Sequence, residues 1–229
     1  MIKRVSYLLF LLVPLVSSAQ VQLGLKTGYT CYWLTSPQDN INSIRYDYSH
    51  NAYSIAFTVK GKVKKALDVC AELSYTGRSF GVTSTWEGQY LWYTYDYYYT
   101  LGNLYLQVQP QCTFGSKVKF YIYPGFYFST LLNSSLDGTR EFQTYDPPLV
   151  DKDTINGSAF DYYQKLEFGI CGGAGLDLPL NDHFGLVFDS NFTMNLNPIG
   201  RSWKSEKARM LSLRITAGIT YTFSSRKVK

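Results

Sequence analysis

Two histidines are the first residues in this chain with types suited to chemistry. His50 stands among Asp39, Asp47 and Ser49, an acid, a base and a hydroxyl from which a proton-transfer pair can be built if they come within hydrogen-bond reach. No second stretch supplies a recognisable partner motif, which leaves His50 as a solvated loop residue and His183 as a turn residue. Cys31, Cys70, Cys112 and Cys171 lie far apart with neither C-x-x-C nor Cys/His metal spacing. Alternation turns Cys31 and Cys112 to lipid and Cys70 and Cys171 inward, and all four read as small, buried, unpaired residues, because free cysteine behaves as a small hydrophobe. Gly169, Gly172, Gly173 and Gly175 imitate a phosphate loop, but no helix follows to complete one. Glycine there instead relieves crowding or lets a curved wall bend. The aspartates of TYDPPLVDKDT are too loosely spaced for a calcium loop. The expectation is a protein with no catalytic, cofactor-binding or metal site.

What must position these residues is a set of strands. From Leu213 to Phe223 (LRITAGITYTF) apolar residues alternate with small or polar ones and end on an aromatic. Period two means a strand, since successive side chains point to opposite faces. Alternation marks eight such strands: 21–33, 53–61, 67–80, 101–114, 118–129, 164–178, 184–194 and 210–223. Connections after the second, fourth and sixth are short (62–66, 115–117 and 179–183), and the others are long. One apolar face per strand and short turns at one end only are the pattern of a transmembrane barrel. The fold class predicted is all-β, an eight-stranded antiparallel up-and-down transmembrane barrel with periplasmic turns and extracellular loops. The first 19 residues read as a cleaved signal peptide, with Lys3 and Arg4, an apolar stretch and Ser17-Ser18-Ala19; residues 20–229 form the barrel.

Composition agrees. Aromatics make up 17% of the chain, 21 of them tyrosine, while mean hydropathy is −0.15. Such values suit a wall in which only alternate residues need be lipophilic. The net charge of +5 is too mild to imply nucleic acid. Faces opposite the apolar ones collect Lys26, Lys60, Asp68, Glu72, Arg78, Lys119, Lys165, Glu167, Asp177, Asp189 and Arg214. In a lumen this narrow such charges should pair into a plug, because an unpaired buried charge is costly. Pro110 and Pro124 each remove a ladder donor and predict bulges or breaks in pairing.

Two outer segments are candidates for contact. Trp86, Tyr90, Trp92, Tyr93, Tyr95, Tyr97, Tyr98 and Tyr99 crowd the second loop. They suit a recognition surface for protein or glycan, or an aromatic girdle at the membrane interface with the third and fourth strands extending outward. Arg201, Trp203, Lys204, Lys207 and Arg209 in the last loop could meet lipopolysaccharide phosphates, or form a hydrated basic loop. The third loop, 133–163, reads as a surface excursion.

The stretches NLYLQVQPQ, KFYIYPGFYFSTLLN, KLEFGICGGAGLDL and LSLRITAGITYTF resemble the PorT-like outer-membrane β-barrel family of Bacteroidota. Family members show a strand with an internal proline, a strand with glycine and aromatics running into a long loop, a glycine-rich strand and a closing aromatic strand. This chain departs at Pro124-Gly125, where the family more usually has Gly-Pro. The resemblance implies an outer-membrane location and, through its founding member, an association with type IX secretion. The function expected is a non-enzymatic structural or interaction protein, an accessory of a secretion or envelope complex. A small channel and an outer-membrane hydrolase or acyltransferase stand as alternatives. Expected partners are outer-membrane lipid, lipopolysaccharide and envelope or secretion proteins.

Overall fold

The computed structural model describes residues 21–35, 44–47, 52–64, 66–87, 91–145, 148–158, 163–198 and 209–223. The signal-peptide reading falls outside them. Ten strands form: β1 (Val21–Thr35), β2 (Ile44–Asp47), β3 (Ala52–Lys64), β4 (Leu67–Glu87), β5 (Leu91–Phe114), β6 (Lys119–Tyr145), β7 (Pro148–Gly157), β8 (Leu166–Pro179), β9 (Phe184–Asn195) and β10 (Arg209–Phe223). Eight of them close a ring. Neighbours pair antiparallel in the order β1–β3–β4–β5–β6–β8–β9–β10. Closure comes from β10 on β1, continuous from Val21↔Phe223 to Thr35↔Arg209. Such a ring leaves no unpaired edge to face lipid.

The alternation read from sequence sorts the two faces. In β3 the inward residues Ala52, Ser54 and Ala56 are buried, whereas Tyr53, Ile55 and Phe57 are exposed on the outer wall. Outward aromatics run the height of the wall, with Phe57, Phe126, Phe168, Phe188 and Phe192 between its rims. Tyr29, Trp33, Tyr53 and Tyr75 lie toward the long-loop rim, and Phe114, Phe120, Phe184, Tyr221 and Phe223 toward the short-turn rim. The tyrosines and Trp33 among them have amphipathic rings, which favour the level of a bilayer surface.

Three strands run far past the ring. The sequence ends them at Phe80, begins them at Leu101 and ends them at Ser129, but β4 reaches Glu87, β5 starts at Leu91 and β6 continues to Tyr145. The supposed second loop is therefore a long hairpin, with Phe80↔Tyr99 and Trp86↔Tyr93 among its pairs. Most of the supposed third loop is a second hairpin, Leu136↔Gly157 to Tyr145↔Pro148. With β2 on β4, these extensions make an open five-stranded blade, β2–β4–β5–β6–β7, standing on the long-loop rim.

Both prolines point outward and are exposed, and they break pairing without a bulge. Val108↔Phe126 and Cys112↔Ile122 keep one register, and the pairs between them are missing. In that register Pro110 faces Pro124, so both absent donors fall at one point of the β5–β6 seam. The irregularity between these strands lies higher, at Gly102/Asn103, where Leu132 is the extra residue of a bulge.

Candidate functional site

The lumen is filled in layers. Toward the short turns, Lys60 Nζ donates to Asp177 Oδ2 at 3.1 Å and Gln22 Nε2 to the same oxygen at 3.2 Å. Beside them Thr113 Oγ1 donates to Asp68 at 2.8 Å. In the middle, Glu72 lies between Lys26 and Arg214, and Arg214 also donates to Ser74 Oγ at 3.0 Å. Asp189 accepts the hydroxyls of Tyr121 and Tyr123, both at 2.9 Å, with Lys26 Nζ 3.9 Å away. Higher up, Arg78 pairs with Glu167, whose other oxygen accepts Asn195 Nδ2 at 3.2 Å, and Tyr127 donates to Asn195. Leu101, Tyr99, Leu131 and Leu136 then form an apolar stopper, with Tyr97, Ile155 and Tyr163 packed on it.

The lumen charges singled out in the sequence thus come together, with two exceptions. Lys119 and Lys165 are exposed, Lys119 as the first residue of β6 on the short-turn rim and Lys165 immediately before β8 on the opposite rim, so neither lies in the buried layers. The remaining four cations, Lys26, Lys60, Arg78 and Arg214, face five carboxylates, Asp68, Glu72, Glu167, Asp177 and Asp189. Between the middle and upper layers a cavity of about 10 Å³ is lined by Tyr32, Tyr105, Gln107, Asn191 and Arg214 among others. That is room for about one water.

The glycine-rich strand has a packing reason. On β8, Gly169, Gly173 and Gly175 face Tyr127, Tyr123 and Tyr121 of β6 across the ladder. A Cβ on Gly173 would stand 2.6 Å from Tyr123 Oη. Each tyrosine ring lies where its partner has no side chain, which lets the hydroxyls reach Asp189 and Asn195. These tyrosines, with Gln107, Gln109 and Asn191, were missed as lumen residues. Their inward position was readable from the same alternation that marked the charges.

The cysteines are all free, but only Cys70 and Cys171 are buried; Cys31 is partly exposed and Cys112 exposed, because they sit on the outward face. His183 lies in a turn capped by Asn181, whose Oδ1 accepts the backbone N–H of His183 at 2.9 Å and of Phe184 at 2.8 Å; His183 Nδ1 lies 3.2 Å from Thr222 O, and its ring stacks on Tyr221. His50 and Asp39 lie outside the described residues, as do Tyr90, Arg201, Trp203, Lys204 and Lys207; Arg209 begins β10 and is exposed.

The aromatic run becomes one organised face. Tyr93, Tyr95, Tyr97 and Tyr99 follow the lumen-facing side of β5 upward, with successive ring centroids 6.1, 5.7 and 6.1 Å apart. Phe142 joins Tyr93 at 4.8 Å and Tyr163 joins Tyr99 at 5.3 Å. Tyr99 is only 8% exposed, so it belongs to the stopper and not to an accessible surface. Tyr93, Tyr95 and Tyr97 are half-buried, while Trp92 and the exposed Tyr98 point to the other face. Trp86 stands opposite Tyr93 in β4. Beside the ladder Arg140 pairs with Asp153, both close to half exposed. The blade thus offers aromatic and hydrogen-bonding groups together, a combination suited to contact with another molecule.

The family described as outer membrane protein beta-barrel domain matches residues 17–201. No curated protein matches the chain. Among solved structures, the chain is similar to Ail, the attachment invasion locus protein of Yersinia pestis, at 13% identity over 88% of this chain and 98% of that one, TM-score 0.39. It is also similar to OprG of Pseudomonas aeruginosa, at 14% identity over 90% and 96%, TM-score 0.42. A third is the outer membrane protease OmpT of Escherichia coli, at 6% identity over 89% and 97%, TM-score 0.37.

Proposed function

The chain belongs to the outer membrane protein beta-barrel domain family, and on that premise we propose that it is a non-enzymatic structural and interaction protein whose working surface is the blade. The observation that carries this reading is the filled lumen. Ion pairs, tyrosines and an apolar stopper fill it in successive layers, and the cavity between the middle and upper layers measures about 10 Å³, so the chain acts on what lies outside its wall. The short turns face the periplasm, the blade stands at the cell exterior, and the chain arrives there by its signal peptide. Its finer placement is PorT-like, as an accessory of a type IX-like secretion or envelope complex, seated among lipopolysaccharide. The aromatic ladder is the contact surface of that complex.

Crosslinked purification of the full chain from native membranes tests this, with Tyr93→Ser/Tyr95→Ser in parallel. A stoichiometric envelope or secretion component that disappears with the paired variant supports the reading. Recovery of the same set with both proteins removes the ladder from it. The filled lumen also argues against a channel. Full-length protein in planar bilayers should give no stable conductance steps, and reproducible steps would revive that alternative. For the hydrolase alternative, His50→Ala should leave cell phenotype unchanged.

A further inference from the structure

The blade, unlike the barrel, has edges. β7 pairs with β6 along ten residues, and among the described residues no strand covers its other side. An uncovered strand presents a row of backbone donors and acceptors, and natural sheets blunt such edges with shortness, charge or proline. β7 is ten residues long, its proline stands at the first position, and its three charges, Asp151, Lys152 and Asp153, leave the other positions uncharged. Leu149 and Val150 are 57% and 61% exposed.

We propose that β7 is a strand-addition site for an extended, basic polypeptide segment; this rests on the blade being the working surface. The rows of the sheet specify the guest. Tyr93, Phe142 and Asp151 lie side by side across the ladder face, then Tyr95, Arg140 and Asp153, then Tyr97, Gly138 and Ile155. A strand added to β7 continues each row by one residue, directly opposite its neighbour. In the antiparallel sense of every other pair in the blade, cationic side chains at positions i+2 and i+4 would meet Asp153, which Arg140 also holds, and Asp151, the last within reach of the Phe142 ring. An apolar residue at position i would meet Ile155. Across β5 to β7 the blade carries Asp96, Asp137, Glu141, Asp151 and Asp153 against Arg140 and Lys152, so its field favours a cationic guest. A second copy fits poorly. Two molecules in one membrane would bring β7 to β7 at matching heights, setting Asp151, Lys152 and Asp153 each beside its like.

The test uses full-length protein in lipid nanodiscs and fluorescent peptides read by anisotropy. One peptide alternates threonine with Val, Lys and Lys, in that order from its N-terminus, at the three facing positions. A second has Glu for Lys, and a third is the lysine peptide N-methylated on alternate backbone nitrogens. The lysine peptide should bind at least about tenfold tighter than the glutamate one, a difference of about 1.4 kcal/mol. Asp151→Lys should erase that preference, and the N-methylated peptide should lose binding. Equal binding of the lysine and N-methylated peptides overturns strand addition, as does no binding at all. If binding survives N-methylation but is lost in Tyr93→Ser/Tyr95→Ser, the edge proposal fails and the ladder reading stands. The membrane purification above decides the ladder reading independently of any peptide.

Discussion

At the scale of single residues, each buried charge of the lumen depends on one or two partners that water does not replace. Arg78 is 2% exposed and held by Glu167, so deleting either leaves the other stranded. Arg78→Met should lower unfolding stability in urea by about 3–5 kcal/mol, the usual cost of orphaning a buried ion. Arg78→Met/Glu167→Gln should recover a substantial part of it, because the orphan is gone. If the double variant is as unstable as the sum of the singles, the pair is not the unit that holds this layer. Gly173 poses a different constraint. A Cβ there would clash with the backbone oxygen of Ser190, which no side-chain change removes, and stand 2.6 Å from Tyr123 Oη, and that hydroxyl is bound to Asp189 and Asn191. Gly173→Ala should therefore impair folding, seen as loss of the heat-modifiable gel band, and Tyr123→Ala in the same chain should restore part of it.

At the scale of elements, the β5–β6 seam is the weak line of the wall. Pro110 opposite Pro124 removes two hydrogen bonds at one point while the register on either side is kept. Pro110→Val/Pro124→Val should restore both and raise stability by about 0.5–1.5 kcal/mol per bond. An unchanged midpoint would mean that the strands are held apart there by something besides the missing donors. Wall strands of this kind were legible in the sequence because one face is apolar and the other is not. The blade was not, although Tyr93, Tyr95, Tyr97 and Tyr99 alternate with Trp92, Thr94, Asp96 and Tyr98 in period two. Both faces there are wet, and a strand without an apolar face resembles a loop in composition. The opposed prolines were also hidden, since their pairing depends on a register that depends in turn on a bulge at Leu132. What could be read of the lumen was its charge; its tyrosine–glycine packing needed β6 and β8 to be recognised as neighbours.

At the scale of the whole molecule, the ring and the blade are separable in a way that bears on what each is for. All eight ring strands are paired below Gly77, Gly102 and Asn133, and closure by β10 on β1 involves no blade residue. The stopper formed by Tyr99, Leu101, Leu131 and Leu136 is the only apolar core shared between them among the described residues. Trimming the two hairpins, by replacing residues 81–97 and 138–155 with short turns, keeps that stopper and every layer of lumen charge. The trimmed chain should still insert, still run as a heat-modifiable barrel and still lack conductance. It should lose whatever the full chain captures in native membranes. A trimmed barrel that folds but keeps its partners would move the contact surface to the short turns or the wall. A trimmed barrel that conducts would mean that the blade, folded over the lumen, is part of the plug, and the ion-paired layers alone do not seal it.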